Sequence, residues 1–523
     1  MKEKIYTIVL ILITILSLVL RFYKLDEVPA SLNWDEIAAG YNAFTIANWG
    51  ADEFGSKFPI VFKSFGDDKH PVHIYLTAVI VKIFGSTDFS TRASSALIGS
   101  LGVVAIYFLA KELFNNKLAG LFSALFLAVS PYSIHFSRGL WEANFALSLL
   151  VIGLSFFYIG LKRSNYLIPL AFFFFGLSFF SYHSAKIIVP PIVFVICLLH
   201  LKKLILNKKT LIASVIIIFI FGCLVIKEPR ILGFARVNQN RFSEDVVNKY
   251  GGLTNTVVHN YKNYFTYSYL FKNGDQSPRG SVKVIGQFYL IDLFLSLIGF
   301  IFLVVRKKWE PITIIVLLLL LSPLPGALSS LEPSATRGIF MILPMILLSS
   351  FGASVLSLFT KDFWTRGVII LVILLFLSKE VYFYVNYYFT NYSKKEAIEW
   401  QYGMKKIVEH VNKNPNYYRV YMDKIRQQPY IFFLYYLKTP LPELLSTVKY
   451  DESESKSYNT VLSFSRYQFG GWDIIGSFPN YNILYVITPS YYGGLRYLQQ
   501  FEVKELIKYP DKSDAFYLVS GNE

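Results

Sequence analysis

Apolar residues in this chain gather into long unbroken runs, and those runs set its architecture. A helix that crosses a bilayer needs about 20 mostly apolar residues. The first such run is Ile5 to Leu20, behind a polar MKEK start. Others lie at roughly 91–113, 117–135, 142–161, 165–181, 186–201, 210–227, 284–305, 311–328, 338–358 and 366–388. Together they predict about eleven spans. Pro71 to Phe84 is apolar but short, so it predicts an interfacial or re-entrant helix that does not cross. No small-residue cleavage site follows the first run, and Arg21-Phe22-Tyr23-Lys24 comes next, so an uncleaved first span is expected rather than a signal peptide. From about residue 389 the runs shorten and charge returns at Lys394, Lys395 and Glu396. Short strand-like runs at 482–487 and 515–519 sit among helical patterns and turn signals. A membrane domain over 1–388 and a soluble α/β domain over 389–523 follow, the latter of ordinary domain size.

One polar stretch interrupts the pattern early. Trp34 to His73 follows the first span and carries three acidic pairs, Asp35-Glu36, Asp52-Glu53 and Asp67-Asp68, then the corner Lys69-His70-Pro71. Segment 21–70 is therefore expected to be a catalytic first loop. Within it, Asp35-Glu36 is the pair expected to do chemistry. Asp67-Asp68 is expected to be structural or close to a donor, and Asp52-Glu53 to be plain surface charge.

Composition supports the membrane reading. The chain of 523 residues is 54% hydrophobic and only 16% charged, with a net charge of +16. Soluble domains are nearer a quarter charged. The basic residues sit in short clusters between apolar runs, which excludes the nucleic-acid reading such a charge would otherwise invite. With the N-terminus cytoplasmic, Lys111 and Lys117, Lys162-Arg163, Lys202-Lys203 with Lys208-Lys209, Arg306-Lys307-Lys308, and Lys361 with Arg366 all fall in short inside loops. A multi-pass plasma-membrane protein is expected, with the polar stretch and residues 389–523 outside. Cys197 and Cys223, both in apolar runs, read as packed thiols without a disulfide or metal framework.

The distinctive polar groups then fall on one side. Asp35, Glu36, Lys69, His70, Arg138, Glu142, His183, Lys186, Glu332 and Arg337 lie in or beside outside loops. Ionisable residues near membrane depth are functional candidates, and the alternative for each is a solvated loop charge. A carboxylate can serve as a general base. Lys and Arg can clamp a phosphate. Together they suit group transfer from a phosphorylated lipid whose phosphate leaves. His70-x-x-His73 beside Asp67 and Asp68 also has metal-like spacing, but Pro71 lies between the histidines and too few ligands are in view, so no metal is assigned. Gly470-Gly471-Trp472-Asp473 reads as an ordinary glycine turn.

At these residues the chain resembles the GT-C superfamily, in particular the protein O-mannosyltransferase and lipid A aminoarabinose transferase group. The matching pieces run in order: Trp34-Asp35-Glu36 with Gly40-Tyr41-Asn42-Ala43; Phe65 to Pro71 with Tyr75; Arg92 with Ser94-Ser95-Ala96; Ser130-Pro131 and Phe136-Ser137-Arg138; Tyr182 to Lys186 with Pro190; and Pro323-Leu324-Pro325 through Arg337 to Pro344. His70 departs from the pattern, because the family usually has another residue before its proline. The resemblance covers about residues 5–390. It implies an inverting transfer of a monosaccharide from a polyprenyl-phosphate donor, on the external face, to a glycan, lipid or protein acceptor. It implies Asp35 as base, with Glu36 as a supporting hydrogen-bond acceptor. It implies Lys69, assisted by Arg138, Lys186 or Arg337, as the donor-phosphate site, and His70, Tyr75, Tyr182 and His183 as substrate contacts. No cofactor is expected beyond the lipid-linked donor. The competing readings are a lipid-linked oligosaccharide transferase or ligase, a lipid-linked sugar transporter, and a noncatalytic membrane protein. No internal repeat of the transporter kind is visible.

Overall fold

The computed structural model describes residues 2–65, 67–233, 242–423, 428–451, 460–470, 480–495 and 497–522. Gly471, Trp472 and Asp473 of the glycine turn lie outside them. Among the described residues, seven helices are long and apolar enough to cross a membrane. The segment Lys117–Arg138 adds an eighth if its bent pair of helices counts as one span. Leu167–Phe179, Ala185–Leu199 and Leu290–Val305, each expected to span, are shorter apolar helices, as is Pro71–Phe84. The protein is thus a polytopic helical membrane protein with a C-terminal sheet-bearing region, and the expected count of eleven is not reached by helix length alone.

The chain packs as two compact units. The first comprises Met1–Tyr23 and Ser94–Tyr387. Its bent pair shows how the sequence writes a break. Pro131 has no N–H to give to the carbonyl of Leu127, so the helix Lys117–Val129 stops and Pro131–Arg138 restarts 54° away. Ser130 caps the restart by accepting from the Ser133 amide at 3.3 Å. The freed carbonyls are taken up by Arg21, which donates to Leu127 O (3.2 Å) and Ala128 O (3.0 Å). It also donates to the Ser17 and Ser133 hydroxyls at 2.9 and 2.8 Å and to the Ser17 carbonyl at 3.4 Å. A fully buried guanidinium at the end of the first helix is therefore the plug for a proline break.

Close helix packing in this unit rests on glycine. The helices Leu290–Val305 and Ile342–Ser357 cross at Gly299 and Gly352. A Cβ on Gly352 would lie 2.0 Å from the Leu295 carbonyl oxygen, and one on Gly299 would lie 2.2 Å from that of Leu348. In lipid, where apolar side chains gain nothing by leaving their surroundings, such close approach is what holds helices together. Gly352→Val is expected to cost about 1–3 kcal/mol or more through overpacking, read as a lower thermal midpoint in detergent. Gly222→Ala, whose Cβ meets nothing within 4 Å, is the control and should leave the midpoint unchanged.

The second unit comprises Lys24–Ala93 and Tyr388–Glu523. One seam of this division falls after Tyr387, and the first loop packs with the C-terminal residues. Its small hairpin pairs β1 (Phe62–Ser64) with β2 (Asp67–Lys69), antiparallel. The larger sheet contains β3 (Arg419–Asp423), β4 (Lys449–Asp451), β5 (Thr460–Phe464), β6 (Tyr467–Gly470), β7 (Ile483–Ile487), β8 (Phe501–Lys508) and β9 (Asp514–Gly521). Their order is β4-β5-β6-β3-β7-β9-β8. β3 runs parallel to both β6 and β7, and the other pairs are antiparallel.

Helices Met404–Lys413 and Tyr430–Tyr436 contribute to one buried core with this sheet, and so do Leu32, Ile37, Ala38 and Tyr41 from the first loop. The helix Trp34–Trp49 explains why. Ile37, Ala38 and Tyr41 recur at helical spacing and form an apolar face that needs a partner. Tyr41 Oη donates to Thr439 O at 2.9 Å. Gly40 lies so near Tyr435 that a Cβ there would be 2.8 Å from its ring.

Candidate active site

The site is built from the helix start at Asn33. The Asn33 side chain accepts from the amides of Asp35 (2.9 Å) and Glu36 (3.1 Å), and Glu36 Oε2 accepts from the Asn33 amide (3.0 Å). This reciprocal capping box fixes the first turn. It places Asp35 among the unsatisfied amides at the positive end of the helix, where a carboxylate is favoured. Asn33→Ala is expected to cost about 1 kcal/mol of unit stability.

The two carboxylates then separate by environment. Glu36 is 1% exposed and gripped by Arg92, Nε to Oε1 at 2.9 Å and Nη2 to Oε2 at 3.0 Å. The same guanidinium donates to the carbonyls of Leu25 (3.1 Å), Pro29 (3.0 Å) and Ser31 (2.5 Å), and lies 5.5 Å from the centre of the buried Trp400 ring. Glu36 is thus a strut that binds loop to helix. Asp35 keeps a side chain 31% exposed and meets Lys69 Nζ at 3.0 Å. Lys69 is brought there by β2, where it pairs with Phe62 across the hairpin. His70 follows as the residue before the helix Pro71–Phe84 and is buried. Tyr75, one turn on, donates to the Pro59 carbonyl at 2.9 Å and packs edge-to-face on Phe62, so it holds the hairpin to the helix.

Asp52 and Glu53 overturn the expectation of surface charge. They are 2% and 1% exposed. Asp52 accepts from the amides of Phe54 (3.0 Å) and Ser56 (2.8 Å), closing a turn. Glu53 accepts from Asn42 Nδ2 (3.4 Å) and Tyr430 Oη (3.5 Å), and its amide donates to Asn42 Oδ1 (3.0 Å). No cation balances the Glu53 carboxyl in this set, and burial pushes its pKa from 4.5 up to about 8.

The folded form therefore binds more protons than the unfolded chain between those values. The contribution of Glu53 to the stability of this unit is present in full below pH 4.5 and falls as pH rises toward about 8. Glu53→Gln is expected to remove that slope, leaving the variant more stable than the parent at pH 9 by a few kcal/mol at most and nearly equal at pH 5. Thermal unfolding of both proteins at the two pH values checks this.

The first unit holds the other expected residues. Arg138 is 0% exposed, with Nη1 donating to Leu20 O (2.9 Å) and Arg21 O (3.1 Å). It closes the end of the first helix by satisfying carbonyls left open there. Tyr182, His183, Lys186 and Arg337 are partly accessible. The rings of Tyr182 and His183 meet edge-to-face at 6.1 Å, and Lys186 Nζ lies 5.9 Å from the Phe179 ring centre. Ser184 Oγ donates to Arg337 O at 3.1 Å, tying the two loops together, and Arg337 Nη1 donates to Ser329 O at 2.7 Å. Among the described residues, no group of three or more His, Cys, Asp or Glu is placed to hold a metal ion.

Sequence reasoning named Arg92 only as the start of a span and missed its grip on Glu36. The Asn33-x-x-Glu36 spacing and an arginine in the first turns of an apolar helix were the signals available.

Residues 68–226 match the model of the dolichyl-phosphate-mannose-protein mannosyltransferase family. No curated protein compared with the chain matches it. ArnT from Cupriavidus metallidurans in the apo state is similar in structure over 98% of this chain and 99% of its own, at 13% identity and a TM-score of 0.60. The same protein bound to undecaprenyl phosphate is similar over 100% and 99%, at 12% identity and 0.59. The archaeal oligosaccharyltransferase AglB from Archaeoglobus fulgidus, in complex with an inhibitory peptide and a dolichol-phosphate, is similar over 84% of this chain and 64% of its own, at 14% identity and 0.53. The sequence match thus covers residues 68–226, and the chain shares the ArnT fold along its whole length.

Proposed function

We propose that the chain transfers a monosaccharide, with inversion, from a polyprenyl-phosphate donor to an acceptor hydroxyl on the external face of the plasma membrane. The observation that carries this reading is the 3.0 Å pair of Asp35 and Lys69 at a capped helix N-terminus. A base and a phosphate-binding cation stand side by side there. On donor binding, the phosphate draws the Lys69 ammonium away from Asp35. The carboxylate then accepts the proton of an acceptor hydroxyl as its oxygen bonds the anomeric carbon. The bond from that carbon to the phosphate oxygen breaks, and polyprenyl phosphate leaves with its new charge held by Lys69. Asp35 ends protonated and returns the proton to water.

Lys186 and Arg337 are assigned to anionic parts of the lipid-linked donor, and His70, Tyr75, Tyr182 and His183 to substrate contacts. Arg138 serves by fixing the end of the first helix. The short basic loops support a cytoplasmic N-terminus with residues 389–523 outside. A polyprenyl phosphate bound to ArnT and a dolichol-phosphate bound to AglB support a lipid-phosphate donor here.

The cation is tested by equilibrium binding of undecaprenyl phosphate to the purified full-length protein. Lys69→Ala is expected to weaken it about ten- to a hundredfold, the worth of one charge-assisted hydrogen bond. Equal affinity removes Lys69 from the phosphate site.

A further inference from the structure

The second unit carries a hollow of about 240 Å³ whose walls share no residue with the Asp35–Lys69 pair. Residues 86–88 form one wall, the helix Met404–Lys413 a second, and the end of the helix Tyr430–Tyr436 a third. The lining is amphipathic. Val408 and the rings of Tyr435 and Tyr436 give it an apolar side, while Asp88, Lys405, Glu409 and Lys438 bring charges of both signs.

Two of these charges satisfy each other. Lys405 Nζ meets Asp88 Oδ2 at 2.9 Å and lies 5.8 Å from the centre of the Tyr436 ring. Glu409 and Lys438 are exposed and make no ion pair among the described residues. Lys438 is presented by a left-handed turn, φ 53°, that ends its helix, with the Thr439 amide returning to Leu434 O at 3.0 Å. Glycine is the usual residue in such a cap, and lysine there sets a cation at the rim. Two buried hydroxyls, Ser86 Oγ and Tyr436 Oη, belong to lining residues and make no hydrogen bond among the described residues. Ser86 is 8% exposed. A buried hydroxyl without a partner is unfavourable, so a ligand oxygen that supplies one is drawn there.

The open partners define the ligand. Lys438 and the two hydroxyls call for an anion, and Glu409 calls for a cation. A phosphate diester suits the first set, because its free oxygens accept from an ammonium and from hydroxyls together. A primary ammonium suits Glu409, to which it donates directly, with the Asn412 side chain in the same wall as a further acceptor. A quaternary ammonium donates nothing and is held by aromatic faces, and Lys405 already stands beside the Tyr436 ring. The volume lies below the roughly 300–1,000 Å³ of sites that enclose a whole small molecule, and it fits a headgroup whose chains stay outside. Those chains have a surface at hand. Leu76, Val79 and Ile83 form an exposed apolar face on the helix Pro71–Phe84, and the exposed Phe84 and Phe89 flank Ser86 in sequence.

We propose that this hollow binds the phosphoethanolamine headgroup of a bilayer phospholipid, with the phosphate on Lys438, Ser86 and Tyr436 and the ammonium on Glu409. The site goes beyond the transfer reading and does not depend on it.

The test uses delipidated full-length protein mixed with equal amounts of phosphatidylethanolamine, phosphatidylcholine and phosphatidylglycerol of matched chains. Native mass spectrometry counts the lipid retained. Phosphatidylethanolamine is expected to be held about tenfold more tightly than either of the others. Lys438→Ala should weaken its retention about tenfold, the worth of one charge-assisted hydrogen bond. Glu409→Gln should erase the preference over phosphatidylglycerol, which lacks the ammonium. Both side chains are exposed, so both variants should keep the parent thermal midpoint. Equal retention of the three lipids by the parent, or a parent-like preference in Glu409→Gln, overturns the proposal. Glycerophosphoethanolamine is added as a soluble competitor. Displacement of the lipid at equal concentration would assign the site to a free phosphate ester and overturn the bilayer source.

Discussion

Asp35→Asn is expected to lower glycosyl transfer by about 10²–10⁴-fold while leaving folding intact, the range a positioned general base supplies. Asn at this place keeps the shape of the side chain, and its carbonyl oxygen still accepts hydrogen bonds, so the helix start set by Asn33 and Glu36 should persist. The amide cannot take a proton from the acceptor hydroxyl. Binding of undecaprenyl phosphate should hold or tighten, because Lys69 no longer shares its charge with a carboxylate 3.0 Å away. Single-turnover transfer and donor binding, measured on one preparation, separate these effects. Transfer at the parent rate would remove Asp35 as the base.

Arg92→Ala carries the largest expected cost in stability, about 3–5 kcal/mol. The substitution leaves Glu36 buried at 1% exposure without its bidentate partner and frees the carbonyls of Leu25, Pro29 and Ser31. Arg92→Lys should recover little of it, since one ammonium cannot reproduce the planar fork that meets Nε and Nη2 acceptors together. Thermal unfolding reads the loss. A midpoint within a degree or two of the parent would show that the Arg92–Glu36 pair does not hold the first loop.

Much of the fold is legible in the sequence because long apolar runs have one physical outlet in a chain this poor in charge. The runs at 91–113 and 142–161 appear as helices Asp88–Phe114 and Glu142–Lys162, and the short run at Pro71 to Phe84 appears with those same ends. The expected span at 117–135 is bent at Pro131, where one amide is missing. Its plug, Arg21, lies 106 residues earlier than its Leu127 partner, and no local pattern announces such a pairing.

The same limit explains the misreading of Asp52 and Glu53. Acidic residues beside a glycine look solvated, but Tyr430 reaches Glu53 from 377 residues away. Asp35 and Lys69 were legible as residue types suited to base and phosphate work, and the structure supplies their 3.0 Å approach through a cap and a hairpin.

Transfer of a sugar from a lipid monophosphate is tested by incubating the purified full-length protein with polyprenyl-phosphate sugars and identifying the lipid released. Polyprenyl monophosphate is expected in step with sugar transfer, and neither product from Asp35→Asn. Turnover only of pyrophosphate-linked oligosaccharide donors with release of polyprenyl pyrophosphate, or no release from any donor, would contradict it.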